Sequence, residues 1–146
     1  MIEEFQPLFD AVSAAFTAND FETLMALWDR DAEPFYIAEE HEPPVSSWAA
    51  LQGYFDATAK INMGYTGTYR VVAAKPLGSD HAIAHFTLDW RILVAGQPEA
   101  YGGFNRGQAV FVRKAEGWRF TGYVEAPLAA ITYLRKLYVR LGKDLA

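Results

Sequence analysis

Residues 81–94 read HAIAHFTLDWRILV, and every even position, Ala82, Ala84, Phe86, Leu88, Trp90, Ile92 and Val94, is apolar. His85, Thr87, Asp89 and Arg91 fall on the alternate positions. Successive side chains of a strand point to opposite faces, so this alternation describes one long strand with a core face and a polar face. The parity predicts Phe86, Leu88 and Trp90 inward and His85, Asp89 and Arg91 outward. Before this strand, TGTYRVVAA reads as a second one, joined through the turn PLGSD; after it, GQAVFVRK, AEG and WRFTGYVE read as a hairpin.

Upstream the period changes. Ile2, Phe5, Phe9, Val12 and Phe16 step by three and four residues and mark a buried helical face. Asn19 tolerates the left-handed conformation that ends helices, and Asp20 is a good N-cap for the next helix, whose face is Phe21, Leu24, Met25 and Trp28. PFYIA reads as a short strand, EEHEPPV as a loop, and SSWAALQGYFDAT as a third helix opened by a serine cap. Helices followed by long antiparallel strands make an α+β chain. Past Pro127 the helical pattern returns, with Leu128, Ile131, Leu134, Tyr138 and Leu141 on one side. Residues 127–145 are therefore expected to form an appended C-terminal helix whose stripe docks on the body near the mouth of the fold. No repeat, linker or low-complexity run divides the chain, so residues 1–146 are read as a single domain.

Composition narrows the partners. The net charge of −5 lacks the basic excess of a nucleic-acid binder. No apolar run reaches the roughly 18 residues of a membrane span, and MIEEFQPLFDAV lacks the basic start of a signal peptide. With no cysteine there is no thiolate chemistry and no disulfide framework, which suits a reducing compartment; a cytoplasmic protein is expected. Neither a metal nor a cofactor is expected, because no histidine pair has helical spacing and no phosphate loop or dinucleotide glycine motif occurs.

The order of elements, with AAFTANDFETLMALWDRDAE near the start and VFVRKAEGWRFTGYVE near the end, resembles the NTF2-like superfamily over residues 2–125, in particular its SnoaL-like and ketosteroid-isomerase-like members. The resemblance implies a strongly curved antiparallel sheet wrapped round the N-terminal helices as a cone with an open, pocket-bearing end. It also implies a homodimer, since the outer sheet face of such proteins often pairs with a second copy. Ketosteroid isomerases of this fold use an Asp base on the first strand, a Tyr donor on helix one and a protonated Asp on a later strand. Here those positions fall on Tyr36 and Val12, and GQAVFVRK contains no Asp, so the resemblance argues against that isomerase reaction.

Candidate site residues follow from strand parity and chemistry. Tyr36, Ala38 and Glu40 share a parity that the isomerase match turns inward, and Glu40 with His41 makes an acid/base pair near the mouth. In the last strand Trp118, Phe120 and Val124 share one parity, which leaves Tyr123 and Glu125 outside unless a bulge at Gly122 turns them in; a Glu facing an aromatic pocket would be a proton donor or acceptor. Tyr36, Glu40, His41 and Glu125 are thus the catalytic candidates. Phe9, Phe16, Trp48, Tyr54, Phe86, Leu88, Trp90 and Tyr123 are the candidate pocket wall. Asp29, Asp31 and Glu33 are read as a solvated connection, and His81 as solvated. The expected function is binding of a small, largely apolar or ring-shaped molecule. Cofactor-independent isomerisation, cyclisation or dehydration is one alternative, and a structural dimerisation module the other.

Overall fold

The computed structural model describes residues 1–128, 134–137, 139–140 and 142. The apolar stripe at the start coils into α1 (Ile2–Ala18), in which Phe5, Phe9 and Val12 are buried. Asn19 ends it at φ 56°, its N–H donating to the Phe16 carbonyl. The Asp20 carboxylate then accepts from the Thr23 N–H (3.0 Å) and hydroxyl (2.6 Å), capping α2 (Phe21–Ala26). β1 (Phe35–Ile37) follows, and Ser47 caps α3 (Trp48–Ile61) by accepting from the Ala50 N–H at 3.2 Å. Four long strands complete the order: β2 (Asn62–Pro76), β3 (His81–Val94), β4 (Tyr101–Lys114) and β5 (Gly117–Pro127).

These strands form one sheet in the order β1-β5-β4-β3-β2. The long strands are antiparallel neighbours, and short β1 adds to the edge parallel to β5, setting Tyr36 beside Tyr123. The register shifts at Val72 in β2 and at Thr121 in β5, and such bulges bend a sheet and increase its twist. The helices lie in the resulting concavity as an α+β cone. Its closed end is an all-phenylalanine floor: ring centroids are 4.6 Å apart for Phe5 and Phe111, 4.8 Å for Phe9 and Phe86, and 4.7 Å for Phe111 and Phe120. Burying each such ring stabilises the fold by about 1.5–3 kcal/mol. Close approach here needs glycine, since a Cβ on Gly107 would collide with the Phe86 ring.

The faces of β3 are as its alternation predicts. Phe86 and Leu88 are buried and Trp90 half-buried, while His85, Asp89 and Arg91 are exposed on the convex side. His81 is exposed and bonds to Asp80 at 2.9 Å. The reading of residues 29–33 as solvated needs correction at Asp29, which is only 8% exposed. Its N–H donates to the Phe120 carbonyl (2.9 Å) and Phe120 N–H to the Leu27 carbonyl (3.0 Å), which pins this end of the helical hairpin against β5. Lys114 then reaches Asp29 and Asp31, both at 2.9 Å. Burial disfavours the Asp29 charge, but the bonds from Lys114 and the Asp31 N–H outweigh it and hold the carboxyl below its ordinary range. Glu33 is also structural, accepting the Trp48 N–H at the start of α3 at 3.0 Å.

Among the described residues no helix is long and apolar enough to cross a membrane. Residues 134–137, 139–140 and 142 are helical. Of the stripe expected to dock, Leu128 is half-buried and Leu134 is 47% exposed; Ile131, Tyr138 and Leu141 lie outside the described residues.

Candidate active site

At the open end of the cone the same inner face encloses a cavity of about 300 Å³. Strand register explains most of its wall. Tyr65 pairs with Ile92, Gly67 with Trp90 and Tyr69 with Leu88, so these side chains share one face of β2 and β3. Gly67 is required there, because a Cβ would run into the Tyr65 ring. Phe16 closes one side from α1, Tyr54 and Thr58 line another from α3, and Tyr36 with Ala38, Glu39 and Glu40 line the β1 side.

Glu125 enters from β5. Val110 pairs with Gly122 but Phe111 pairs with Phe120, so Thr121 is the extra residue of a bulge. The bulge resolves the two parities of the last strand: Phe120 and Tyr123 are both buried on the inner side, and Glu125 follows Tyr123 into the cavity wall. The Glu125 carboxyl accepts from the Tyr123 hydroxyl at 2.8 Å and from the Asn105 amide. Tyr69 and Tyr123 hydroxyls lie 3.1 Å apart, so with Tyr123 donating to Glu125 the Tyr69 hydroxyl donates to Tyr123.

Burial raises the Glu125 pKa most; the bonds from Tyr123 and Asn105 pull it down, and repulsion from Glu40 and Glu39 pushes it up again, leaving it at about 7. The phenols behave differently. Burial is the largest cause in each case, and it pushes Tyr36, Tyr54, Tyr65, Tyr69 and Tyr123 above their ordinary value, so all stay neutral near pH 7. Glu125 therefore exchanges a proton near neutrality while the surrounding phenols only donate or accept hydrogen bonds. Two buried polar atoms, Trp90 Nε1 and Asn105 Oδ1, have no hydrogen-bond partner among the described residues.

Of the residues singled out from the sequence, the cavity brings together Tyr36, Glu40, Glu125, Phe16, Tyr54, Leu88 and Trp90. Tyr54 donates to Glu40 at 2.6 Å. Tyr123 stands behind Glu125 and reaches the site through its hydroxyl. His41 lies outside the cavity wall, in a cleft with Pro43 and Pro44; its Nδ1 accepts the Ala38 N–H (3.0 Å) and its ring packs on Tyr54 at 4.6 Å. Phe9 and Phe86 belong to the floor. Trp48 faces away, with its indole N–H on the Ala32 carbonyl (2.9 Å) and the Arg30 guanidinium 3.8 Å above its ring.

Sequence reasoning missed Tyr65, Tyr69 and Asn105. The two tyrosines alternate with Gly67 in YTGTY, and Asn105 shares the parity of buried Ala109 and Phe111, so extending the parity test to the neighbouring strands would have found all three. Among the described residues no group of three or more potential ligands is placed to hold a metal ion.

The model of the SnoaL-like domain family matches residues 6–130. A solved structure from Streptomyces avermitilis, described as a dehydratase of the NTF2-like family, superposes with a TM-score of 0.74 at 19% identity over 88% of this chain and 97% of its own. Two from Novosphingobium aromaticivorans are similar. One, described as an aromatic ring hydroxylase, has a TM-score of 0.76 at 16% identity, covering 87% of this chain and 88% of its own. The other, described as a scytalone dehydratase, has a TM-score of 0.75 at 12% identity, covering 87% and 83%. At these identities the likeness shows the fold alone. No curated protein matches the chain. With a family model spanning most of the sequence, the chain belongs to the SnoaL-like domain family, and its cone is the fold of the NTF2-like structures it superposes on.

Proposed function

We propose that the cavity binds a small, largely apolar, ring-shaped molecule and that Glu125 transfers a proton to or from it without a cofactor, in an isomerisation, cyclisation or dehydration. The observation that carries this reading is an inward carboxyl with a pKa of about 7 inside an aromatic cavity of about 300 Å³. A carboxyl poised near neutrality is populated as both acid and base, which is the condition for efficient general acid/base catalysis. The neutral phenols of Tyr36 and Tyr65 line the same space and supply hydrogen bonds to an oxygen on the substrate, while those of Tyr54 and Tyr69 donate to Glu40 and Tyr123. Tyr36 is then an orienting group rather than the base, because its buried phenol holds its proton. The dehydratase descriptions of two solved relatives accord with such chemistry.

Proton exchange is the test. The protein is incubated in D₂O with a panel of small cyclic ketones and hydroxyketones, and deuterium uptake at the carbon beside the carbonyl is followed by NMR. Uptake above the buffer rate that disappears in Glu125→Gln supports the reading. Binding without exchange in wild type would make the protein a non-catalytic carrier of the same ligands. The same reading includes a homodimer through the convex sheet face, where Val72 and Phe104 are exposed; sedimentation should then give twice the 16.3 kDa chain mass.

A further inference from the structure

We propose that the natural ligand of the cavity is an organic cation, a protonated or quaternary amine carried on a small apolar body. This deepens the reading above and rests on it for the cavity being a binding site. The first ground is the wall. Phe16, Tyr36, Tyr54, Tyr65, Tyr69 and Trp90 set six aromatic rings around one space, with centroids 5.5 Å apart for Tyr36 and Tyr54 and 5.2 Å for Phe16 and Tyr65. Ring faces carry partial negative charge, and cages of such rings are how proteins hold ammonium groups.

The second ground is charge. Glu39, Glu40 and Glu125 line the cavity, and among the described residues no Lys, Arg or His does. Among the described residues the elements around Glu125 contribute acids, phenols and an amide: Glu39 and Glu40 from the segment after β1, Tyr36 from β1, Tyr54 from α3, Tyr65 and Tyr69 from β2, Asn105 from β4 and Tyr123 from β5; His41 packs behind Tyr36 and Tyr54, outside the wall. The largest influences on Glu125 agree, since its charge is opposed by burial, Glu40 and Glu39 and relieved by the bonds from Tyr123 and Asn105. A buried carboxylate without a countercharge is costly, as the Lys114 partner of Asp29 illustrates at the other end of the molecule. A ligand ammonium supplies the missing positive charge. A neutral ligand does not, and an anionic one adds a fourth negative charge.

The test compares three probes of similar size on the intact protein: benzyltrimethylammonium, its neutral carbon isostere neopentylbenzene, and phenylacetate. Affinities come from ligand-dependent melting and intrinsic tryptophan fluorescence. The expected result is that the ammonium binds about tenfold or more tightly than the isostere, with phenylacetate weakest. Its advantage should shrink by up to about tenfold per pH unit as the solution is acidified below about 7, because protonation removes the Glu125 charge. Glu125→Gln should bring ammonium and isostere to within about threefold of each other. Glu40→Gln, at an exposed position, should narrow the gap less and serves as the check if the first variant folds poorly. An isostere that binds as tightly as the ammonium overturns the cation assignment and leaves the pocket reading standing. Binding by none of the three overturns both. An ammonium preference that survives both substitutions overturns the carboxylates as its source and leaves the aromatic rings to hold the cation.

Discussion

Two carboxyls of the described residues, buried Asp29 and half-buried Glu125, are pushed in opposite directions. Asp29, at the closed end, meets Lys114 at 2.9 Å and is held below the usual carboxylate range. Glu125, at the open end, accepts from Tyr123 and Asn105, is repelled by Glu40 and Glu39, and rises to about 7. The surroundings differ as well: phenylalanines fill the closed end, whereas the open end is walled by tyrosines, a tryptophan and a phenylalanine around space. One end therefore compensates its buried charge, and the other leaves a carboxyl beside open space; both lie on a single continuous sheet face.

The largest effect expected is on the closed end. Phe111→Ala removes a fully buried ring that touches Phe5 and Phe120 and should cost about 3–5 kcal/mol of unfolding free energy. Trp90→Ala, which faces the hollow, should cost clearly less; equal losses in chemical denaturation would erase the distinction between the two ends. Next comes pH. The raised Glu125 pKa means that the folded state holds its proton more tightly than the unfolded chain, so this stabilisation is complete below about 4.5 and is lost as pH rises through about 7. The total is on the order of 3 kcal/mol, and Glu125→Gln should flatten that part of the stability profile. Asp29 has the opposite sign, its contribution being present above the unfolded pKa and lost as pH falls through the lower folded value.

Lys114→Met should cost about 1–3 kcal/mol by stranding Asp29, and acid sensitivity below about pH 4 should weaken with it. Melting curves for the variant that coincide with wild type from pH 3 to pH 7 would show that Asp29 is solvated after all. Tyr69→Phe removes the hydroxyl bonded to Tyr123 and should cost about 0.5–1.5 kcal/mol while lowering proton exchange more than stability. The smallest effect is expected on the convex face, where exposed His85 bonds to Gln108 at 3.1 Å and His85→Ala should change stability by no more than about 0.5 kcal/mol.

The fold was legible because its signal is periodic. Alternation over residues 81–94 and the three-four spacing of Ile2, Phe5, Phe9, Val12 and Phe16 both follow from repeating geometry, and Asn19, Asp20 and Ser47 sit where helix ends need them. The site was legible only in part, because it depends on departures from the period. The Thr121 bulge decides that Glu125 faces inward, and alternation by itself could not choose between the two parities of β5. Asp29 was misjudged for a related reason: its sequence neighbours mark a connection, but its burial comes from a backbone bond to Phe120, 91 residues further along. His41 and Trp48 carry suitable chemistry, yet local bonds to Ala38 and Ala32 hold them away from the cavity. Hydrophobic pattern assigns a face, and only tertiary contacts decide which part of that face is left hollow.

The most direct measurement is the titration of the Glu125 side-chain carboxyl by ¹³C NMR, with Glu125→Gln identifying the resonance. The structure predicts a midpoint of about 7, raised by burial, partly lowered by the bonds from Tyr123 and Asn105, and raised again by Glu40 and Glu39. A midpoint near the ordinary glutamate value of about 4.3 would mean a solvated or ion-paired carboxyl, and would contradict the claim that the open end of the cone is an acid/base site.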